Sequence, residues 1–158
     1  MKPAYRQISS KFKHIVNWGV NSWKVKFEDY LISTDKGRLN HEIIHRLLLA
    51  SYWANKRPID RINKSIETLY CYGVYHNDKQ IGFARIITDW ATTYWLCDVV
   101  IDEAHRGRGL GKKLIQVIIQ SEELKELSGF LGTADAHGLY EQFGFVRNTE
   151  RFMVRRPD

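Results

Sequence analysis

Two cysteines and three prolines in 158 residues give this chain neither a disulfide frame nor a proline-rich rod. Cys71 and Cys97 fall in stretches with strand character and lack CxxC spacing, so both are expected to be reduced, small apolar residues in a reducing cytoplasm. No apolar run approaches the roughly 20 residues that cross a bilayer, and Met1 to Arg6 leads into no apolar segment of a secretory signal. An unexported, cytoplasmic chain without a membrane span is therefore expected. Internal repeats and low-complexity linkers are also missing, which excludes solenoids and tethered modules. What is present is 44% hydrophobic and 27% charged residues, the balance of a globular protein large enough for one core.

Acid is missing from one region. Residues 1 to 27 hold Lys2, Arg6, Lys11, Lys13, Lys24 and Lys26 and no Asp or Glu, while the rest of the chain carries 18 charges of each sign. The net charge of +6 thus belongs to an N-terminal extension, read as residues 1 to 26, ahead of a balanced domain over 27 to 158. A basic tail is not a basic groove, and no specific nucleic-acid partner is expected. Phe12, Ile15, Val16 and Gly19 have helical spacing and make a short amphipathic helix a candidate within the extension.

Hydrophobic periodicity alternates between the strand and helix periods, as in a mixed α/β domain. A first strand is expected over Phe27 to Ser33. A helix capped by Asn40 follows and runs to about Trp53, and a second lies over Ile59 to Leu69. Tyr70 to Tyr75, Ile81 to Thr88 and Tyr94 to Ile101 read as three strands, the last apolar enough to be central. Leu110, Leu114, Val117 and Ile118 mark a helix ending near Ser128-Gly129, and Phe130 to Thr133 is a short strand. A small helix over His137 to Phe143 is closed by Gly144, with Phe145-Val146 and Phe152 to Val154 as closing strands.

The most informative segment is Arg106-Gly107-Arg108-Gly109-Leu110-Gly111-Lys112, between a buried strand and an amphipathic helix. Unpaired amides and the positive end of the helix dipole converge there, glycines admit a ligand close to the backbone, and the basic side chains add charge. A diphosphate suits such a turn. The spacing matches neither the dinucleotide fingerprint, which requires glycine where Lys112 stands, nor a Walker A loop, which requires glycine at Arg106.

These residues resemble the GNAT N-acetyltransferase superfamily. Arg106 to Gly111 matches its Q/R-x-x-G-x-G/A acetyl-CoA signature, and Leu139-Tyr140-Glu141-Gln142-Phe143-Gly144-Phe145 matches its later L-Y-x-x-x-G-F motif. The resemblance spans about residues 27 to 158. It implies a mixed, mostly antiparallel sheet flanked by helices, splayed between Tyr94 to Ile101 and Phe130 to Thr133, with acetyl-CoA in the gap. The backbone of Val99, Val100 and Ile101 would pair with the pantetheine arm. Arg106, Gly107, Arg108, Gly109, Leu110, Gly111 and Lys112 would hold the pyrophosphate. It also implies direct attack by a primary amine in a ternary complex, with Tyr140 protonating the departing thiolate. The acceptor, a small molecule or a peptide or protein amine, is left open, as are monomer and homodimer. A non-catalytic acyl-CoA-binding or sensing module is the alternative.

A base for the amine is less legible. Asp98 sits mid-strand between Leu96 and Val100, where a carboxylate is costly unless paired or in use, so catalysis and a structural ion pair with an arginine are both readings. Asp89, Asp135 and His137 are further candidates. Tyr52-Trp53, the Asp89-Trp90 turn and the C-terminal strands are expected on the acceptor side. His41-Glu42-Ile43-Ile44-His45 also matches the H-E-x-x-H zinc pattern of metallohydrolases, but Leu48 and Ser51 stand where the extended form requires glycine and histidine. The resembled fold makes this segment a first helix, and no metal is expected.

Overall fold

A computed structural model describes residues 22 to 156. The amphipathic helix expected around Phe12 to Gly19 lies outside them. Six strands stand in chain order in one sheet: β1 (Lys24–Phe27), β2 (Tyr30–Ser33), β3 (Tyr70–His76), β4 (Lys79–Thr88), β5 (Thr93–Ile101) and β6 (Ser128–Phe130). The first five are antiparallel and only β6 runs parallel to its neighbour. The helices are α1 (His41–Leu49), α2 (Ile59–Thr68), α3 (Leu110–Ile119) and α4 (His137–Glu141).

Alternation along the strands sends side chains to two cores. Cys71, Phe83 and Val100 pack with Ile44, Leu48, Ile62 and Ile66 of α1 and α2. Tyr72, Val74, Ile86 and Leu96 pack with Leu110, Leu114 and Ile118 of α3. The Asn40 carboxamide caps α1 by accepting from the Ile43 amide at 3.0 Å. No helix of the described residues is long and apolar enough to cross a membrane.

Three expectations need correction. The single strand over Phe27 to Ser33 is a hairpin turning at Glu28-Asp29 and starting at Lys24. Its outer strand alternates exposed lysines with half-buried Val25 and Phe27, the pattern of a charged sheet edge, so two lysines of the basic stretch, Lys24 and Lys26, are strand positions. α3 ends at Ile119, well before Ser128: one further turn around Ser121 tucks Leu124 into the core and redirects the chain. The closing strands at Phe145-Val146 and Phe152 to Val154 do not form. β6 is three residues long and provides no ladder for them, and Phe152 instead sets its ring edge-on to Trp95 and Phe130.

Candidate active site

β6 accompanies β5 only from Thr93 to Trp95. Tyr94 lies directly against Gly129, where a side chain would collide with the phenol ring, so glycine permits this close approach. Beyond Trp95 the β5 edge has no strand beside it among the described residues, and its amides and carbonyls border a cavity of about 900 Å³. The splay inferred from the resemblance is thus present, with β6 slightly earlier in the chain than expected.

The glycine-rich turn closes one end of this cavity. Gly107 and Gly109 both have φ of +76°, and Gly109 is the N-cap of α3. The left-handed backbone demands glycine there. A side chain at Gly107, Gly109 or Gly111 would meet nothing within 4 Å, so the cradle is open on the ligand side. Of the cofactor residues named from the sequence, Val99, Val100, Ile101, Arg106, Gly107, Gly109, Leu110, Gly111 and Lys112 line the cavity. Arg106 is anchored by its Nε donating to the Ile101 carbonyl at 3.1 Å. Arg108 is not part of the lining. Its guanidinium donates to the Tyr30 hydroxyl at 3.3 Å, beside the His76 and His105 rings.

Tyr140 on α4 lines the opposite wall, half-buried, with its ring edge-on to Phe145. Burial pushes its phenol up to about 12, with Tyr52 and Asp135 adding to the shift. The hydroxyl therefore stays protonated at neutral pH. Asp135 accepts from the Tyr52 hydroxyl at 3.0 Å, and both residues line the cavity.

Asp98 occupies a bulge of β5, with φ of +54°, where three steps on β5 oppose two on β4. Its buried carboxylate accepts from Arg57 at 2.7 Å and Arg85 at 2.5 Å, both on Oδ2. Burial alone would raise its pKa; the Arg57 bond and the charge and bond of Arg85 outweigh it and hold the carboxyl below its usual range. Such a group is a poor proton acceptor. The geometry is that of the structural ion pair, with two arginines rather than one.

Asp89 is elsewhere. It accepts from the Thr92 hydroxyl and from the amides of Ala91, Thr92 and Thr93, which tie the β4-β5 turn and lower its pKa. Tyr52 and Trp53 line the cavity, as expected, whereas Trp90, His137 and the C-terminal residues do not. Arg57, Arg85, Trp95 and Cys97 line it without having been named as site residues from the sequence. Arg57 immediately precedes Pro58, which favours an extended backbone and was the one local signal available for its position. The Cys97 thiol is pushed up to about 11 by burial, which removes it as a nucleophile at neutral pH.

In the H-E-x-x-H segment, His41 Nδ1 and His45 Nε2 both approach Asn63 Oδ1, at 3.0 and 2.7 Å. Among the described residues no group of three or more His, Cys, Asp or Glu is arranged to hold a metal.

Comparison with known proteins agrees with this geometry. Residues 67 to 147, about half the chain, match the family model described as acetyltransferase (GNAT) domain. The chain belongs to the GNAT acetyltransferase family. A crystal structure from Xanthomonas campestris pv. campestris assigned to the same family is similar to this acetyltransferase with a TM-score of 0.77 and 34% identity, covering 84% of this chain and 96% of that one. The uncharacterized N-acetyltransferase ycf52 of Pyropia yezoensis is 28% identical over 146 residues, 88% of this chain and 83% of its own. A GNAT family acetyltransferase from Elizabethkingia anophelis with acetyl-CoA bound shares the fold at 17% identity and a TM-score of 0.58, covering 74% of this chain and 76% of that one. A Gibberella zeae relative is 29% identical over 110 residues, 57% of this chain and 62% of its own.

Proposed function

We propose that this GNAT acetyltransferase transfers the acetyl group of acetyl-CoA to a primary amine by direct attack in a ternary complex. The observation that carries the reading is the bare β5 edge leading into an open glycine cradle at the start of α3. Residues present fit the cosubstrate: the turn offers amides, a helix N-terminus and the cations of Arg106 and Lys112 to a diphosphate, and the strand edge offers alternating donors and acceptors to an amide-bearing arm. When bound, acetyl-CoA supplies an activated thioester.

The chain's own contributions follow from charge and position. Backbone groups of Val99, Val100 and Ile101 would orient the arm, and the turn from Gly107 to Lys112 would hold the phosphates, with the Arg108 side chain turned to Tyr30 instead. As the amine nitrogen bonds to the acetyl carbon and the carbon–sulfur bond breaks, nitrogen loses one proton and sulfur gains one. Tyr140, protonated and facing the cavity, is the donor for sulfur. Asp98, named beforehand as a possible catalytic group, has an electrostatic role in this reading: clamped by two guanidiniums, it positions Arg57 and Arg85. The proton from nitrogen goes to water. Cytoplasmic residence belongs to the same proposal, supported by two free thiols.

The test is to mix the protein with acetyl-CoA and an amine panel and follow free thiol, with CoA binding by calorimetry alongside. Binding with acetylated product is expected. Indifference to CoA would overturn the reading, and binding without turnover on any amine would favour a sensing module.

A further inference from the structure

Two cations meet one anion in the wall of the cavity, and the charges do not balance. Arg57 Nη1 and Arg85 Nε donate to the same oxygen of Asp98, whose side chain is 3% exposed. Their own side chains are 25% and 12% exposed, so one positive charge is held largely out of water without a counter-ion. Each guanidinium carries five N–H donors in a planar fork, and neither makes another side-chain hydrogen bond among the described residues. The carboxylate of Asp135, which lines the same cavity, forms no ion pair here and accepts from Tyr52 instead.

Nor is the cosubstrate's diphosphate suited to supply it. The phosphate turn begins at Arg106, after the end of β5, whereas Asp98 lies three residues before Ile101, about 10 Å back at strand rise. Trp53, Trp95 and Tyr52 line the same cavity as the arginine pair and add aromatic surface to it.

We infer that the acceptor is an amine that also carries a carboxylate, on an apolar body: an α-amino acid with an apolar side chain. The inference rests on the acetyl-transfer reading. A carboxylate matches the planar fork of a guanidinium and completes the charge balance. Arg85 and Arg57 are then specificity-determining residues, and Asp98 fixes their geometry.

The experiment uses matched pairs: phenylalanine against phenethylamine and leucine against isoamylamine, with a dipeptide amide beginning in aspartate to separate side-chain from α-carboxylates. The amino acids are expected to exceed their decarboxylated partners in kcat/KM by roughly tenfold or more, the loss of one charge-assisted carboxylate–guanidinium contact. Arg85→Gln should bring that ratio close to one, and Arg85→Lys should restore only part, because an ammonium supplies charge without the fork. A readout independent of turnover is calorimetric binding of N-acetylphenylalanine against N-acetylphenethylamine, where only the acid should bind and Arg85→Gln should weaken it about tenfold. If Arg85→Gln does not fold, the more exposed Arg57→Gln takes its place.

Equal kcat/KM and equal product binding within each pair, in protein that binds CoA and acetylates amines, would overturn the inference and leave acetyl transfer standing. Turnover of the aspartyl dipeptide amide alone would overturn the α-amino acid assignment. Loss of CoA binding would sink the earlier reading, while the product-binding comparison would still decide carboxylate selection.

Discussion

Arg85 on β4 donates its Nε to Asp98 on β5 across a bulge that turns the aspartate backbone left-handed. Removing that carboxylate leaves two largely buried guanidiniums without it. Asp98→Ala is expected to cost about 3–5 kcal/mol in urea unfolding, the penalty of breaking a buried pair from one side. A dedicated base would behave otherwise, losing turnover at unchanged stability.

The same pair sets an acid limit. Asp98 is held below its usual pKa in the fold, so its contribution is fully present above the unfolded value of about 4 and is lost as pH falls through the lower folded value. Wild-type stability should therefore decline below about pH 4 more steeply than that of Asp98→Asn, which cannot titrate. Parallel acid unfolding curves for the two would refute this.

Tyr140→Phe keeps the ring against Phe145 and removes the proton. Turnover is expected to fall on the order of a hundredfold, with CoA affinity and melting temperature nearly unchanged. Because the phenol is raised to about 12, wild-type activity should show no alkaline loss from this group below about pH 10.

The cradle glycines divide by backbone rather than by space. Gly109→Ala should destabilise the fold by about 1–2 kcal/mol, since its φ of +76° is left-handed. Gly111, without positive φ, should accept alanine with stability changed by less than about 1 kcal/mol. Its CoA affinity should nonetheless fall, because the new methyl enters the open side of the turn. Thermal melts and calorimetry separate the two outcomes.

The strands and helices with strong local signals were legible beforehand. Asn40 capped its helix, the apolar run from Tyr94 became β5, though paired on both sides only as far as Trp95, and the Arg106 to Lys112 turn lies where a strand gives way to a helix. Errors fell where a neighbour decides. Lys24 and Lys26 read as tail until β2 paired with them, and Phe152 to Val154 read as strand although none of the described residues pairs with it. The H-E-x-x-H match likewise depended on groups distant in sequence, and Asn63 of α2 is what its imidazoles meet.

The sequence by itself determined the mixed fold and the glycine-rich turn ahead of α3, because periodicity, capping and glycine placement act over a few residues. It also marked Tyr140 through a local motif. Only the tertiary structure decided the meaning of Asp98, since its partners Arg57 and Arg85 stand 41 and 13 residues away in the chain. Charge balance in a low-dielectric wall is a property of groups brought together from separate elements, and no window of sequence contains it.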